Sequence, residues 1–339
     1  MADGVPRVTE RDAATIRDPA ALLAELVEEG APVVLRGLVA DWPATRAAAR
    51  SATAFRDYCA GFSGSGEIEA FVGDASIKGA YYYRDALDGF NFDRRRMTLQ
   101  AAIDAIVAML DAPASETLYA GSVPVADHLR GFAEDNVLPL PARAGARIWL
   151  GHAANIACHY DTLGNIACVV AGRRRFTLYP PAAIADLYVG PIDNTMAGQP
   201  VSLAAATPDA ARFPRFAAAQ ERALTADLAP GDALYLPKLW WHRVESTAPF
   251  NVLVNYWWDA TAAGPDAPYA TLLLAMIAIA ERPLAERRAW RAFFDHYVFR
   301  EEGHPLRHLP ADRHGLLGPL RPTNYGRLRA LVMHMLRAH

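Results

Sequence analysis

CHYDTLGNIACVVAGRRRFTLYPP, residues 158 to 181, contains two apolar runs of strand length, punctuated by Asn165, Gly172 and Pro180. Successive strand side chains point to opposite faces, so Arg174, Phe176 and Leu178 share one face of the second run. Arg173, Arg175, Thr177 and Tyr179 share the other. Runs of similar character flank this stretch: RIWLG ending at Gly151, GDALYLP ending at Pro237 and FNVLVNYWW ending at Trp258. Short strands bounded by Gly, Pro and Asn between residues 146 and 259 predict an antiparallel sandwich or barrel.

Around this core the pattern is helical. AALLAELVEEG, residues 20 to 30, has apolar residues at helical spacing and stops at Gly30, and APVVLRGL, 31 to 38, reads as a strand. Helix-like and loop-like pieces then alternate to about residue 140, giving a mixed α/β lead-in. Residues 181 to 225, rich in Ala, Pro, Asp and Phe, predict a loop with short helices over the barrel. Helices are expected again over 267–282, ended by Pro283, and over 284–299. The expected organisation is an α/β elaboration over 1–145 packed on the barrel, the barrel core itself over 146–259 and a helical region over 260–339.

The 339 residues are 52% hydrophobic and 21% charged, which places the chain among folded proteins. A net charge of −3 supplies no global basic field for nucleic acid or an anionic membrane. Cys59, Cys158 and Cys168 are odd in number and lack CxxC spacing, so neither a disulfide framework nor a zinc ribbon is expected, and a reducing cytoplasm is the simplest location. The start of the chain is polar rather than signal-like. TLLLAMIAIA, 271 to 280, is about half the roughly 20 residues of a membrane span and reads as a buried helix.

His159 and Asp161, two apart, would project together from a strand while Tyr160 points away, but an HxD pair alone is weak evidence for metal. His152 has the opposite parity and suits a hydrogen-bonded structural role. His242, after an apolar strand and the bulky Trp240 and Trp241, is the candidate third ligand. His159, Asp161 and His242 then have the composition of a 2-His-1-carboxylate face, which leaves open positions on Fe(II). Three protein ligands plus water on zinc are equally compatible with this set. If Phe176 and Leu178 face the core, so does Arg174, and a buried guanidinium requires an anion. That anion is either an internal carboxylate or the distal carboxylate of a small dicarboxylate bound beside the metal.

Trp149 in WLG, His159-Tyr160-Asp161, Asn165, GRRRFTLYPP, PGDALYLPKLWWHRVES and NVLVNYWW together resemble the Jumonji C, or cupin-like, Fe(II)- and 2-oxoglutarate-dependent oxygenases. The nearest branch is that of the asparaginyl hydroxylase that inhibits hypoxia-inducible factor; APVVLRGLVADWPA resembles the family's lead-in and GFNFDRRR a segment of its bacterial members. The resemblance implies a double-stranded β-helix (cupin or jelly-roll) core, mainly β with helical additions, with iron on His159, Asp161 and His242. It implies Arg174 as the residue binding the 5-carboxylate of 2-oxoglutarate, Tyr119 reaching the same carboxylate, Asn165 and Asn255 near the co-substrate and Trp257 beside the site. It departs from the family at Ile156, where a Thr or Ser hydroxyl is usual.

The implied activity is hydroxylation of a protein side chain or small molecule, consuming 2-oxoglutarate and O₂ and releasing succinate and CO₂. A homodimer through the C-terminal helices is the expected assembly; intramolecular packing of those helices is the alternative. Two functional alternatives use the same barrel: a zinc or manganese cupin isomerase or hydrolase, and a non-catalytic binding module. YYYRDALDGFNF, 81 to 92, could line a substrate groove with aromatics, although such stretches more often form core.

Overall fold

The computed structural model describes residues 5–84, 86–111, 115–139, 145–196, 198–260, 266–319 and 321–337. Six strands come first: β1 (Thr9–Asp12), β2 (Val33–Arg36), β3 (Ile68–Asp74), β4 (Ala80–Tyr81), β5 (Asp93–Met97) and β6 (Glu116–Pro124). The core follows as β7 (Ala146–Gly151), β8 (Ala154–His159), β9 (Gly164–Ala171), β10 (Arg174–Tyr179), β11 (Leu224–Leu228), β12 (Ala233–Leu236), β13 (Trp241–Ser246) and β14 (Asn251–Trp258). One sheet has the order β1-β2-β12-β9-β14-β7-β6-β3-β5 and the other β11-β10-β13-β8-β4. The core strands are thus shared between two facing antiparallel sheets, as in a jelly roll, the expected double-stranded β-helix.

Alternation explains the layers. In β10, Arg174, Phe176 and Leu178 are buried while Arg175 is exposed. Phe176 and Leu178 meet Val169, Leu234, Leu236 and Leu253 between the sheets. β9 is buried throughout because its other face, Ile166, Cys168 and Val170, packs in a second core with Leu26, Phe55 and Ile103. Those last residues come from helices Pro19–Glu29, Ala52–Ala60 and Leu99–Ala108. Gly30 closes the first helix at φ 60°, a left-handed conformation that glycine adopts without steric cost. On the outer face of the smaller sheet, Cys158, Tyr160, Tyr179 and Trp241 pack with Phe213 and Phe216 of the inserted segment, which forms short helices as expected.

The chain divides into two compact units, Met1–Ala260 and Thr261–His339. The second contains helices Pro268–Ile279, Leu284–Phe294 with a following π turn Asp295–Phe299, and Pro322–Arg337. Within it, Asp266 accepts from the Tyr325 hydroxyl and from Arg329. The expectation of a buried helix over 271–280 is corrected in one respect: helix Pro268–Ile279 forms but has no buried residue, and Leu272 is 51% and Ile277 82% exposed. Its apolar residues lie all around the axis, so one packed stripe would not cover them. Among the described residues no helix is long and apolar enough to cross a membrane.

Candidate metal centre

His159 and His242 are direct cross-strand partners on β8 and β13. The next partners are Ile156 and Val244, so β8 carries one extra residue across this interval and bulges. The bulge resets the alternation: Ile156 and His159 both line the internal cavity, while Cys158 and Tyr160 face the opposite core, Tyr160 edge-on to Trp241 at 4.8 Å. The two imidazoles lie 4.3 Å apart between centroids.

Each histidine turns Nδ1 toward a backbone carbonyl, His159 to Ala157 at 2.8 Å and His242 to Trp240 at 3.0 Å. A carbonyl only accepts, so both Nδ1 atoms carry a proton, and in the neutral ring Nε2 is then the nitrogen with the lone pair. Asp161 lies just past the strand end, with Oδ2 3.8 Å from His242 Nε2. Trp257 Nε1 donates to that Oδ2 at 3.1 Å and fixes the carboxylate. One ligand atom from each of the three residues falls within 4.8 Å of the others. Burial and the neighbouring His159 ring push the His242 imidazole down to about 4, which keeps it neutral at neutral pH, the form that binds metal. Two imidazole nitrogens and one carboxylate fit a divalent ion such as iron, manganese or zinc with open positions.

Arg174 lines the cavity behind these ligands and is only 4% exposed. Its neighbours on β10 behave as alternation predicts: Arg173 is exposed, and Arg175 pairs with Asp227 at 2.7 Å. No carboxylate pairs with Arg174 among the described residues, and its Nε is buried without a hydrogen-bond partner. Its cross-strand partner Ser246 also has a buried, unpartnered hydroxyl. Burial lowers the Arg174 pKa, and Tyr119, whose hydroxyl meets the guanidinium, opposes that shift. The Tyr119 hydroxyl is itself pushed up to about 12 by burial. The internal ion pair that could have satisfied Arg174 is not what surrounds it.

Asn165 and Asn255 also line this cavity. Trp149 Nε1 donates to Asn255 Oδ1 at 2.7 Å, and Asn255 Nδ2 donates to Asn165 Oδ1 at 3.1 Å. The indoles of Trp149 and Trp257 meet edge-on at 5.7 Å. Trp149 enters the sequence reading only as part of the family resemblance, with no site role, although its alternation with Ile148 and Leu150 in RIWLG places it on the inner face. A second cavity of about 280 Å³, which reaches the candidate ligands His159 and Asp161, is walled by Phe71, Tyr81, Tyr119, Trp149, Met196 and Trp257. Tyr81 therefore serves as both core and cavity wall. His152 is structural: Nδ1 accepts from Leu118 N at 3.1 Å and Nε2 donates to Ile106 O at 3.2 Å.

Comparison with known proteins matches residues 19–264 to the family described as cupin-like domain. HSPB1-associated protein 1 of Homo sapiens is 34% identical over 157 residues, 44% of this chain and 32% of its own length. Lysine-specific demethylase JMJ31 of Arabidopsis thaliana is 34% identical over 113 residues, 33% of this chain and 20% of its own. Bifunctional peptidase and (3S)-lysyl hydroxylase JMJD7 of Homo sapiens is 32% identical over 130 residues, 33% of this chain and 40% of its own. The matches span well under half of each of these relatives.

Proposed function

Because the chain belongs to the cupin-like, Jumonji C family, we propose that it is an Fe(II)- and 2-oxoglutarate-dependent oxygenase that hydroxylates a protein side chain or small molecule. The observation that carries this reading is Arg174: a buried guanidinium with no carboxylate partner among the described residues, touching Tyr119 and lining the same cavity as His159, Asp161 and His242. A keto acid with a distal carboxylate would supply the missing anion.

His159, Asp161 and His242 would hold the iron, which when bound supplies coordination positions for the keto acid and O₂. Arg174 and Tyr119 orient the co-substrate by its far end, as the resemblance implies. Trp257 holds Asp161 by its indole N–H, and the Trp149–Asn255–Asn165 chain fixes the polar wall of the cavity. Ile156 makes part of that wall apolar and excludes water where a hydroxyl is usual. The net reaction converts 2-oxoglutarate, O₂ and a substrate C–H into succinate, CO₂ and an alcohol. Anaerobic Fe(II) titration followed by succinate measurement tests the proposal. The parent should bind 2-oxoglutarate and release succinate, while His159→Ala and His242→Ala should do neither; parent-like turnover by either variant defeats the assignment.

Ile156 favours one competing reading, a zinc- or manganese-dependent cupin isomerase or hydrolase, because it removes a hydroxyl from the co-substrate wall. Metal analysis with 2-oxoglutarate binding separates the two. The reading also includes a homodimer: the exposed apolar residues of helix Pro268–Ile279 support pairing of C-terminal helices. Sedimentation should then give about twice the 36.9 kDa chain mass. Three buried, unpaired thiols suit a reducing cytoplasm.

A further inference from the structure

A cation that the chemistry above does not use, Arg147, rests on two residues that line the aromatic cavity, Ser122 and Trp257. Arg147 alternates with Ile148 and Leu150, which are fully buried in the core behind the larger sheet, so it shares the inner face of β7 with Trp149. Its guanidinium lies 5.7 Å from the Trp257 ring centre. Nε donates to the Ser122 hydroxyl at 2.7 Å, and Nη2 donates to the Ser122 carbonyl at 2.8 Å. Both Ser122 and Trp257 line the cavity. Among the described residues no carboxylate pairs with Arg147 and no hydrogen bond engages its Nη1.

The support for Arg147 is built with strain. Partners shift from Ala120/Leu150 to Val123/Ile148, so β6 bulges by one residue at this point. Ser122 sits within the bulge at φ 55°, a left-handed conformation uncommon for a residue with a Cβ. This bend presents its carbonyl and hydroxyl together to Arg147 and leaves one edge of the planar fork free. A cation oriented by neutral acceptors and an indole face, without an acid, retains its full charge for a ligand.

We propose that Arg147 is a substrate-binding residue that recognises a carboxylate on the molecule to be oxidised, while an apolar group of that molecule enters the aromatic cavity. This rests on the oxygenase reading for what happens to the apolar group. The cavity's volume of about 280 Å³ lies at the lower end of ordinary ligand sites and suits one side chain or a small acid. The carboxylate can belong to a free acid or to an acidic residue beside the target in a peptide.

Trp149 and Trp257 in the cavity wall make tryptophan fluorescence a direct readout of binding to the full chain. The probes are 3-phenylpropionate against 3-phenylpropionamide, and capped Phe-Asp against capped Phe-Asn. The parent should prefer acid over amide by at least about tenfold in one pair, and the preferred pair identifies the source. Arg147→Gln should erase the preference, Arg147→Lys should keep part of it, and Arg174→Gln should retain it. A parent that binds acid no better than amide, or not at all, overturns the proposal. So does a preference that survives Arg147→Gln in a protein with parent-like melting, or one lost in Arg174→Gln alone. 2-Oxoglutarate binding is measured on the same parent: its absence beside an intact acid preference removes the oxygenase reading and leaves the subsite, and the reverse removes only the subsite.

Discussion

The double variant Arg174→Met/Tyr119→Phe should be more stable than the parent and unable to sense 2-oxoglutarate. Methionine keeps much of the arginine stem's volume and removes a buried cation that no carboxylate among the described residues compensates. Exchanging even a paired buried charge for packed apolar atoms can stabilise a protein by about 1 to 4 kcal/mol, and here no pair is lost. Arg174→Met alone leaves the Tyr119 hydroxyl buried without its partner, a cost of about 1 to 3 kcal/mol that roughly cancels the gain. Removing both groups avoids that cost. At about 2 to 4 °C per kcal/mol for a unit of this size, the double variant should melt at least about 2 °C above the parent without ligand. The parent should gain about 2.7 kcal/mol when 2-oxoglutarate with Mn(II) is present at a hundred times its Kd, and the double variant nothing. Thermal melts with and without ligand measure both effects. A double variant melting well below the parent would show that Arg174 is a structural residue, and a retained ligand shift would place the anion elsewhere.

Trp257→Phe keeps a ring but removes the N–H that holds Asp161 Oδ2 at 3.1 Å, so Co(II) affinity should fall about 10- to 100-fold in a competition titration. An unchanged constant would show that Asp161 needs no such support. Burial holds the His152 pKa below its ordinary value, so below about pH 6.5 the unfolded chain binds a proton that the folded chain refuses. Stability due to this group is complete above that pH and declines as pH falls toward the folded value; denaturant titrations of His152→Gln should show a shallower acid-side decline than the parent. Fully buried Asn136 accepts from Ala44 N at 2.9 Å and donates to the Tyr58 hydroxyl at 2.7 Å and Phe132 O at 2.8 Å. Asn136→Leu should therefore cost about 3 kcal/mol or more in urea denaturation, and a loss under about 1 kcal/mol would contradict that accounting.

Alternation made the strand interiors legible. It placed Arg174 inside and Arg173 and Arg175 outside, because β10 is regular from end to end. It was a poorer guide where the strand rules stop. Asp161 meets His159 from beyond the end of β8, held by Trp257 and by Leu239 N on its backbone carbonyl at 2.8 Å. The bulge that brings Ile156 to the same cavity as His159 adds an odd residue, which no period-two reading anticipates. Ser122 and Arg147 escaped attention for the same reason: a serine in a left-handed bulge has no local sequence signature. The helix of residues 20–30 was readable from its apolar spacing and Gly30, whereas the lack of burial in helix Pro268–Ile279 depends on tertiary packing.

The placement of His159 at the end of β8 has a second effect, through the thiol beside this candidate metal ligand. Cys158 precedes His159 and so points into the opposite core, and Cys59 and Cys168 are buried as well. Burial pushes the Cys59 thiol up to about 12 and also raises those of Cys158 and Cys168, so none is a ready thiolate. The centre proposed above to use oxygen is thereby kept apart from the side chains most easily turned into sulfenic acids. The folded protein should pass through thiol-alkylating reagents unlabelled, and spent turnovers should leave its cysteines reduced.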